Sequence, residues 1–203
     1  MNVLLVHGIF DSGNIYRKLV GQLTARGHRC FAPSLSPNNA RHGIADLAAK
    51  LDIIVNETFG PNEPMAIVGF SMGCIVSRYY IHRLQMGRRT KAFFAISGPH
   101  AGTLTAYFYP GQGARDMRPG SFLLKDLDSA DHDFPIFTYW TPLDLMILPA
   151  TSSRWHPAKE RIIWSPLHPL MLSNNQLCSD VVEKMDELSS QKAFTTTSTN
   201  PLP

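Results

Sequence analysis

The chain has 203 residues, enough for one domain with a full core and too few for two comfortable ones. Hydrophobic residues make up 44% and charged residues 17%, the balance of a compact globular enzyme. A net charge of +3, with no basic run longer than Arg88-Arg89, argues against nucleic acid as the main partner.

The N-terminus runs from Met1 straight into Val3-Leu4-Leu5-Val6 and His7-Gly8. It has no basic n-region, long apolar core or cleavage site. No stretch reaches the ~20 apolar residues of a membrane span. Cys30, Cys74 and Cys178 are odd in number and far apart, which fits neither a disulfide framework nor a zinc site. Cys74 reads as packing. These features predict a cytoplasmic, reducing location with no metal and no cofactor.

Six short runs read as strands: Asn2–Val6, Arg29–Ala32, Met65–Val68, Ala92–Ile96, Pro135–Trp140 and Arg161–Trp164. Helical spacing falls between most of them. Asn14–Arg26 carries Ile15, Leu19, Val20 and Leu23, and Ile44–Phe59 carries Leu47, Leu51, Ile54 and Val55. Cys74–Leu84 is mixed. Asn174–Leu188 carries Leu177, Val181, Val182 and Met185, with Ser173 as N-cap. Alternating strands and helices, with apolar strands, imply an α/β fold. Its mostly parallel sheet of about six strands would be covered by helices on both faces. One domain over residues 1–190 is expected, with a cap-like insertion at about 102–130 and a polar, poorly ordered tail at 191–203.

Gly69-Phe70-Ser71-Met72-Gly73 carries the most chemical information. It follows a strand and opens a helix. Glycine two positions to either side of a serine relieves the crowding of a sharp strand-to-helix turn, and the serine hydroxyl is left exposed above the sheet edge. Ser71 is the predicted nucleophile.

In a parallel sheet, ligands bind at the carboxyl ends of the strands. His28, His132 and His156 lead into strands and fall at the other edge. His82 lies near a helix end, and His42 opens a helix. His7, His100 and His168 follow strands. His168, on the loop before the last helix, can reach back to Ser71 as general base, with His100 as runner-up. Asp131 and Asp133 precede a strand, whereas Asp144 follows one and is the predicted orienting acid. An oxyanion site needs two donors. Met72 N–H supplies one and Ile9 N–H the other, with Phe10 as alternative; His7 braces that loop. Phe10, Tyr107 and Phe108 are the predicted substrate-binding residues.

Several segments resemble the α/β-hydrolase superfamily, and within it the small serine lipases and esterases of bacteria. Val3-Leu4-Leu5-Val6-His7-Gly8-Ile9 is similar to their oxyanion strand and loop. Ile67-Val68-Gly69-Phe70-Ser71-Met72-Gly73 is similar to their elbow, down to the methionine. Ser97-Gly98-Pro99-His100-Ala101-Gly102-Thr103 resembles a segment after the next strand. Arg115–Leu123 resembles a stretch ending in Pro-Gly-Ser before a short apolar helix. Asp144-Leu145-Met146-Ile147-Leu148-Pro149 resembles the acid loop, and His168-Pro169-Leu170-Met171-Leu172 the histidine loop. The order Ser, Asp, His is the one this superfamily uses. Two departures stand out. The glycine usual before the acid is absent from Tyr139-Trp140-Thr141-Pro142-Leu143-Asp144, and the sheet is expected to start at the oxyanion strand, without the superfamily's two opening strands.

The resemblance implies a minimal α/β-hydrolase fold that cleaves carboxylic esters through an acyl-enzyme. The expected partner is a small ester or lipid substrate. Acyl transfer and thioester hydrolysis would use the same residues, and a catalytically silent binding protein is the contrasting class.

Overall fold

The computed structural model describes residues 1–196, and of residues 191–196 the backbone alone. Six strands form one sheet: β1 (Asn2–Val6), β2 (Arg29–Phe31), β3 (Met65–Phe70), β4 (Thr90–Ile96), β5 (Ile136–Trp140) and β6 (Lys159–Ile162). Their order is β2-β1-β3-β4-β5-β6, and every neighbouring pair is parallel. The helices are α1 (Arg17–Ala25), α2 (Ile44–Phe59), α3 (Met72–Arg83), α4 (Gln112–Asp116), α5 (Phe122–Asp128) and α6 (Asn175–Thr196).

Alternation along the strands builds two cores. Leu4, Val6 and Ile67 point to the side covered by α2, α3 and α5, where Leu47, Leu51, Ile75 and Leu124 meet them. Val3, Leu5 and Val68 point to the other side, against Leu19 and Leu23 of α1 and Leu177 and Val181 of α6. A strand buried on both faces reads as a continuous apolar run, which is why β1 and β3 are so legible. Truncating one such side chain, as in Leu5→Ala, should cost about 2–5 kcal/mol.

The boundaries show which local forces win. β6 lies two residues earlier than the expected Arg161–Trp164. It is an edge strand with one partner, paired from Phe137↔Lys159 to Trp140↔Ile162. Its charged residues suit an exposed edge, and the apolar run Ile162–Trp164 drew the expectation too far along. Asn174, not Ser173, caps α6: its side-chain oxygen accepts from the Gln176 and Leu177 N–H groups at 2.9 and 3.2 Å. Ser173 instead closes a 3-10 turn, His168–Ser173. α6 continues to Thr196, and residues 197–203 of the expected tail lie outside the described residues.

The segment 102–130 contains α4 and α5 and is tied to the body. Asp116 Oδ2 accepts from the Ile44 N–H at 2.8 Å, which satisfies an otherwise orphaned donor at the start of α2. Ser121 caps α5, accepting from the Leu124 N–H at 3.3 Å.

Candidate active site

The turn between β3 and α3 is held in a conformation that side chains resist. Ser71 has φ 53° and ψ −125°, a strained region for any residue but glycine, worth roughly 1–3 kcal/mol. Its N–H is fixed by the Ile96 carbonyl at 2.9 Å. The flanking glycines are required sterically. A Cβ on Gly69 would stand 2.8 Å from Cys74 Cα, and one on Gly73 would stand 2.0 Å from the Val6 carbonyl oxygen. Cys74 is buried behind the turn as a packing residue, its thiol 3.5 Å from the Ile96 carbonyl.

His168 Nδ1 lies 2.7 Å from Asp144 Oδ2. A carboxylate only accepts, so Nδ1 carries the proton, and in the neutral ring Nε2 keeps its lone pair. Nε2 is buried and unpartnered among the described residues. The His168 ring packs on Phe70, immediately before Ser71, with centroids 4.7 Å apart. No hydrogen bond joins Ser71 to His168 in this conformation among the described residues; apo sites often hold such contacts loosely.

Asp144 is positioned from both sides. Its Oδ1 accepts from the Met146 and Ile147 N–H groups, both at 2.9 Å, which leaves Oδ2 for the imidazole. Thr103 and Thr105 hold the Met146 carbonyl, and the Leu148 N–H donates to Thr103 Oγ1 at 2.9 Å. The loop needs no glycine before Asp144, because no residue from 139 to 144 has a positive φ. The Thr141 hydroxyl, which accepts from the Leu143 N–H at 3.3 Å, makes the turn instead.

Ile9, Ser71 and Met72 line one small pocket with Thr103, Ala106 and Tyr109. The Ile9 and Met72 N–H groups are not engaged elsewhere among the described residues. The Phe10 N–H is taken by the Asn38 carbonyl at 2.7 Å, which removes Phe10 as a donor. The Phe10 side chain stands at the rim, its ring 5.6 Å from that of Tyr109. Tyr107 and Phe108 do not line this pocket. The 3-10 turn Leu104–Tyr107 buries Ala106 and turns both aromatics outward, with Phe108 85% exposed and Tyr107 under the Arg118 guanidinium. Of the three adjacent aromatics Tyr107-Phe108-Tyr109, Tyr109 is the one that lines the pocket, and no periodicity in the sequence singles it out.

His7 bridges the loop after β1. Leu35 N–H donates to its Nε2 at 2.8 Å, so Nδ1 carries the proton and donates to the Gly8 carbonyl at 2.8 Å. Burial lowers its pKa, in keeping with a neutral brace. His100 stacks on Trp155, centroids 4.7 Å apart, with both ring nitrogens buried and unpartnered among the described residues. Among the described residues, no group of three or more His, Cys, Asp or Glu could hold a metal ion. None of their helices is long and apolar enough to cross a membrane.

A parallel sheet with a strained serine elbow after its central strand is the signature of one class, the α/β hydrolases. The family model described as "alpha/beta hydrolase fold" matches residues 2–167, and the chain belongs to that family. No curated protein matches it. Among solved structures it is similar to the Bacillus licheniformis lipase BlEst2, at 16% identity and TM-score 0.70, over 91% of each chain. It is also similar to Aspergillus fumigatus lipase B, at 13% identity and TM-score 0.72, over 89% of this chain but 51% of that one. Polyneuridine aldehyde esterase matches at 17% identity and TM-score 0.62, over 91% and 98%. At such identities these likenesses show the shared fold.

Proposed function

We propose that the protein hydrolyses carboxylic esters through an acyl-enzyme, with Ser71 as nucleophile, His168 as general base and acid, and Asp144 as the orienting carboxylate. The observation that carries this reading is the His168–Asp144 pair beside the strained serine turn, with an unpartnered Nε2. His168 Nε2 takes the hydroxyl proton as Ser71 Oγ bonds to the ester carbonyl carbon. The oxyanion forms between the Ile9 and Met72 N–H groups, at the N-terminus of α3. His168 returns its proton to the departing alcohol. A water molecule then repeats the sequence on the acyl-enzyme and releases the acid.

The surroundings support esters with an uncharged, apolar acyl group. All the side chains lining the Ser71 pocket are uncharged. Leu104, Phe108, Leu143, Leu145, Trp164 and Leu167, from three loops that follow strands, are exposed. The pocket measures about 30 Å³, room for one small group. A pocket of this size favours short acyl chains over long ones.

A panel of p-nitrophenyl esters from acetate to palmitate, with fluorophosphonate labelling, tests the reading. Turnover should be highest at the short end, and Ser71 should be the labelled residue. Ser71→Ala should lower kcat by about 10⁴–10⁶. Equal labelling or equal turnover in Ser71→Ala would overturn the proposal. Hydrolysis of acyl thioesters in preference to oxygen esters would move it to a thioesterase.

A further inference from the structure

Asp11, on the loop after β1, is a charge that the reaction above does not use. A Cβ built on Gly8 would stand 2.9 Å from Ser71 Cβ and 3.2 Å from Asp11 Oδ2, so those two atoms lie within about 6 Å of each other. The Asp11 carboxylate is also within electrostatic reach of His7 and His168. Only its backbone carbonyl is engaged, by the Asn38 side-chain amide at 2.8 Å. Among the described residues, the carboxylate itself has no hydrogen-bond donor and no ion-pair partner. Such a group is free to interact with a charge brought to Ser71 from outside.

The position of Asp11 relative to the pocket gives it a side. The small pocket extends from Ser71 past Ile9 and Met72 toward 103–117 and 146–147, and Asp11 is not among its lining residues. The acyl group enters that uncharged pocket. Asp11 lies outside that pocket, and its charge reaches His168, which hands the proton back to the departing alcohol.

Resting on the ester-hydrolase reading, we propose that Asp11 is a specificity-determining residue for the alcohol half of the substrate. Its carboxylate favours esters whose alcohol carries a positive charge and disfavours those whose alcohol is anionic. A carboxylate within about 6 Å of Ser71 Cβ interacts with a substrate charge strongly enough to change rates severalfold or more. The effect weakens as salt screens it. Polyanionic carriers, such as nucleotide-bearing thioesters, are poor substrates on the same ground.

Three butyrate esters of matched size test this. Choline butyrate is cationic, neohexyl butyrate is its uncharged isostere, and the butyrate ester of isethionate is anionic. In the wild type, kcat/KM should fall in that order at low ionic strength, with the spread shrinking at high ionic strength. In Asp11→Asn the cation-over-anion ratio should drop about tenfold or more. A wild-type preference that survives unchanged in Asp11→Asn would overturn the proposal, as would equal rates for all three esters in the wild type. The ester-hydrolase reading fails separately: if neohexyl butyrate is not turned over and Ser71 resists fluorophosphonate, that reading falls and takes this inference with it.

Discussion

His168 and His100 follow strands at the same edge of the sheet, and both are buried. Their surroundings differ. His168 has a carboxylate 2.7 Å from Nδ1, itself fixed by two backbone N–H groups. His100 has Trp155 against its face and the buried cation Arg78 nearby. Arg78 Cζ lies 4.4 Å over the same indole, and Asp128 accepts from Arg78 Nη2 at 2.7 Å. Burial, and then Arg78, push the His100 pKa well below the ordinary histidine value. On the proposed reading, the carboxylate fits the first ring to hold and return a proton. Burial and the cation keep the second neutral, and the indole packs against it.

The widest separation between the two should appear in kcat. His168→Ala should lower kcat by about 10⁴–10⁶, whereas His100→Phe, which keeps a flat ring against Trp155, should leave it within about threefold. The opposite result in steady-state assays would exchange their roles. Asp144→Asn should come next, with kcat down about 10⁴ and KM little changed, because the imidazole loses the partner that fixes its tautomer. Wild-type activity in that variant would break the carboxylate side of the comparison.

Smaller effects should fall on stability. Trp155→Ala removes the stack with His100 and the contact with Arg78, and should cost about 2–3 kcal/mol in denaturant unfolding. The pKa values of His100, His132 and His82 are lowered in the folded protein, that of His82 to about 4, with burial the largest cause for each. The unfolded chain therefore binds more protons just below pH 6.5. Stability should be fully present above that value and decline as the pH falls toward 4. Tm should drop by about 5–10 °C between pH 7 and pH 5, and His100→Phe should flatten the decline. An unchanged slope would show that His100 is not neutral in the fold.

These contrasts also mark how far the sequence could be read. The strand that leads to Ser71 was visible because β3 is buried on both faces and the glycines around the turn are sterically required. The placement of His168 and Asp144 on one edge was reachable because a parallel sheet puts the loops after its strands there. The difference between His168 and His100 on that edge was less accessible. It depends on Trp155, 55 positions further along the chain, and on Arg78 from a helix on one face of the sheet. Asp11 was invisible for a similar reason. A lone aspartate in a turn carries no pattern, and its importance comes only from the distance across Gly8 to Ser71. The choice of Tyr109 over Tyr107 and Phe108 was made by one 3-10 turn.

The backbone at Ser71 has a consequence for what selection can reach. At φ 53° and ψ −125°, glycine is the residue the turn itself prefers. Ser71→Gly should therefore unfold at a higher temperature than the wild type while lacking a nucleophile. On the proposed reading, the sturdiest version of this fold is an inert one. A copy that keeps Ser71 as its nucleophile must draw from the rest of its packing the stability that the serine withholds, so drift that erodes β1 or α3 would reach a limit sooner than in a copy that has given up the serine.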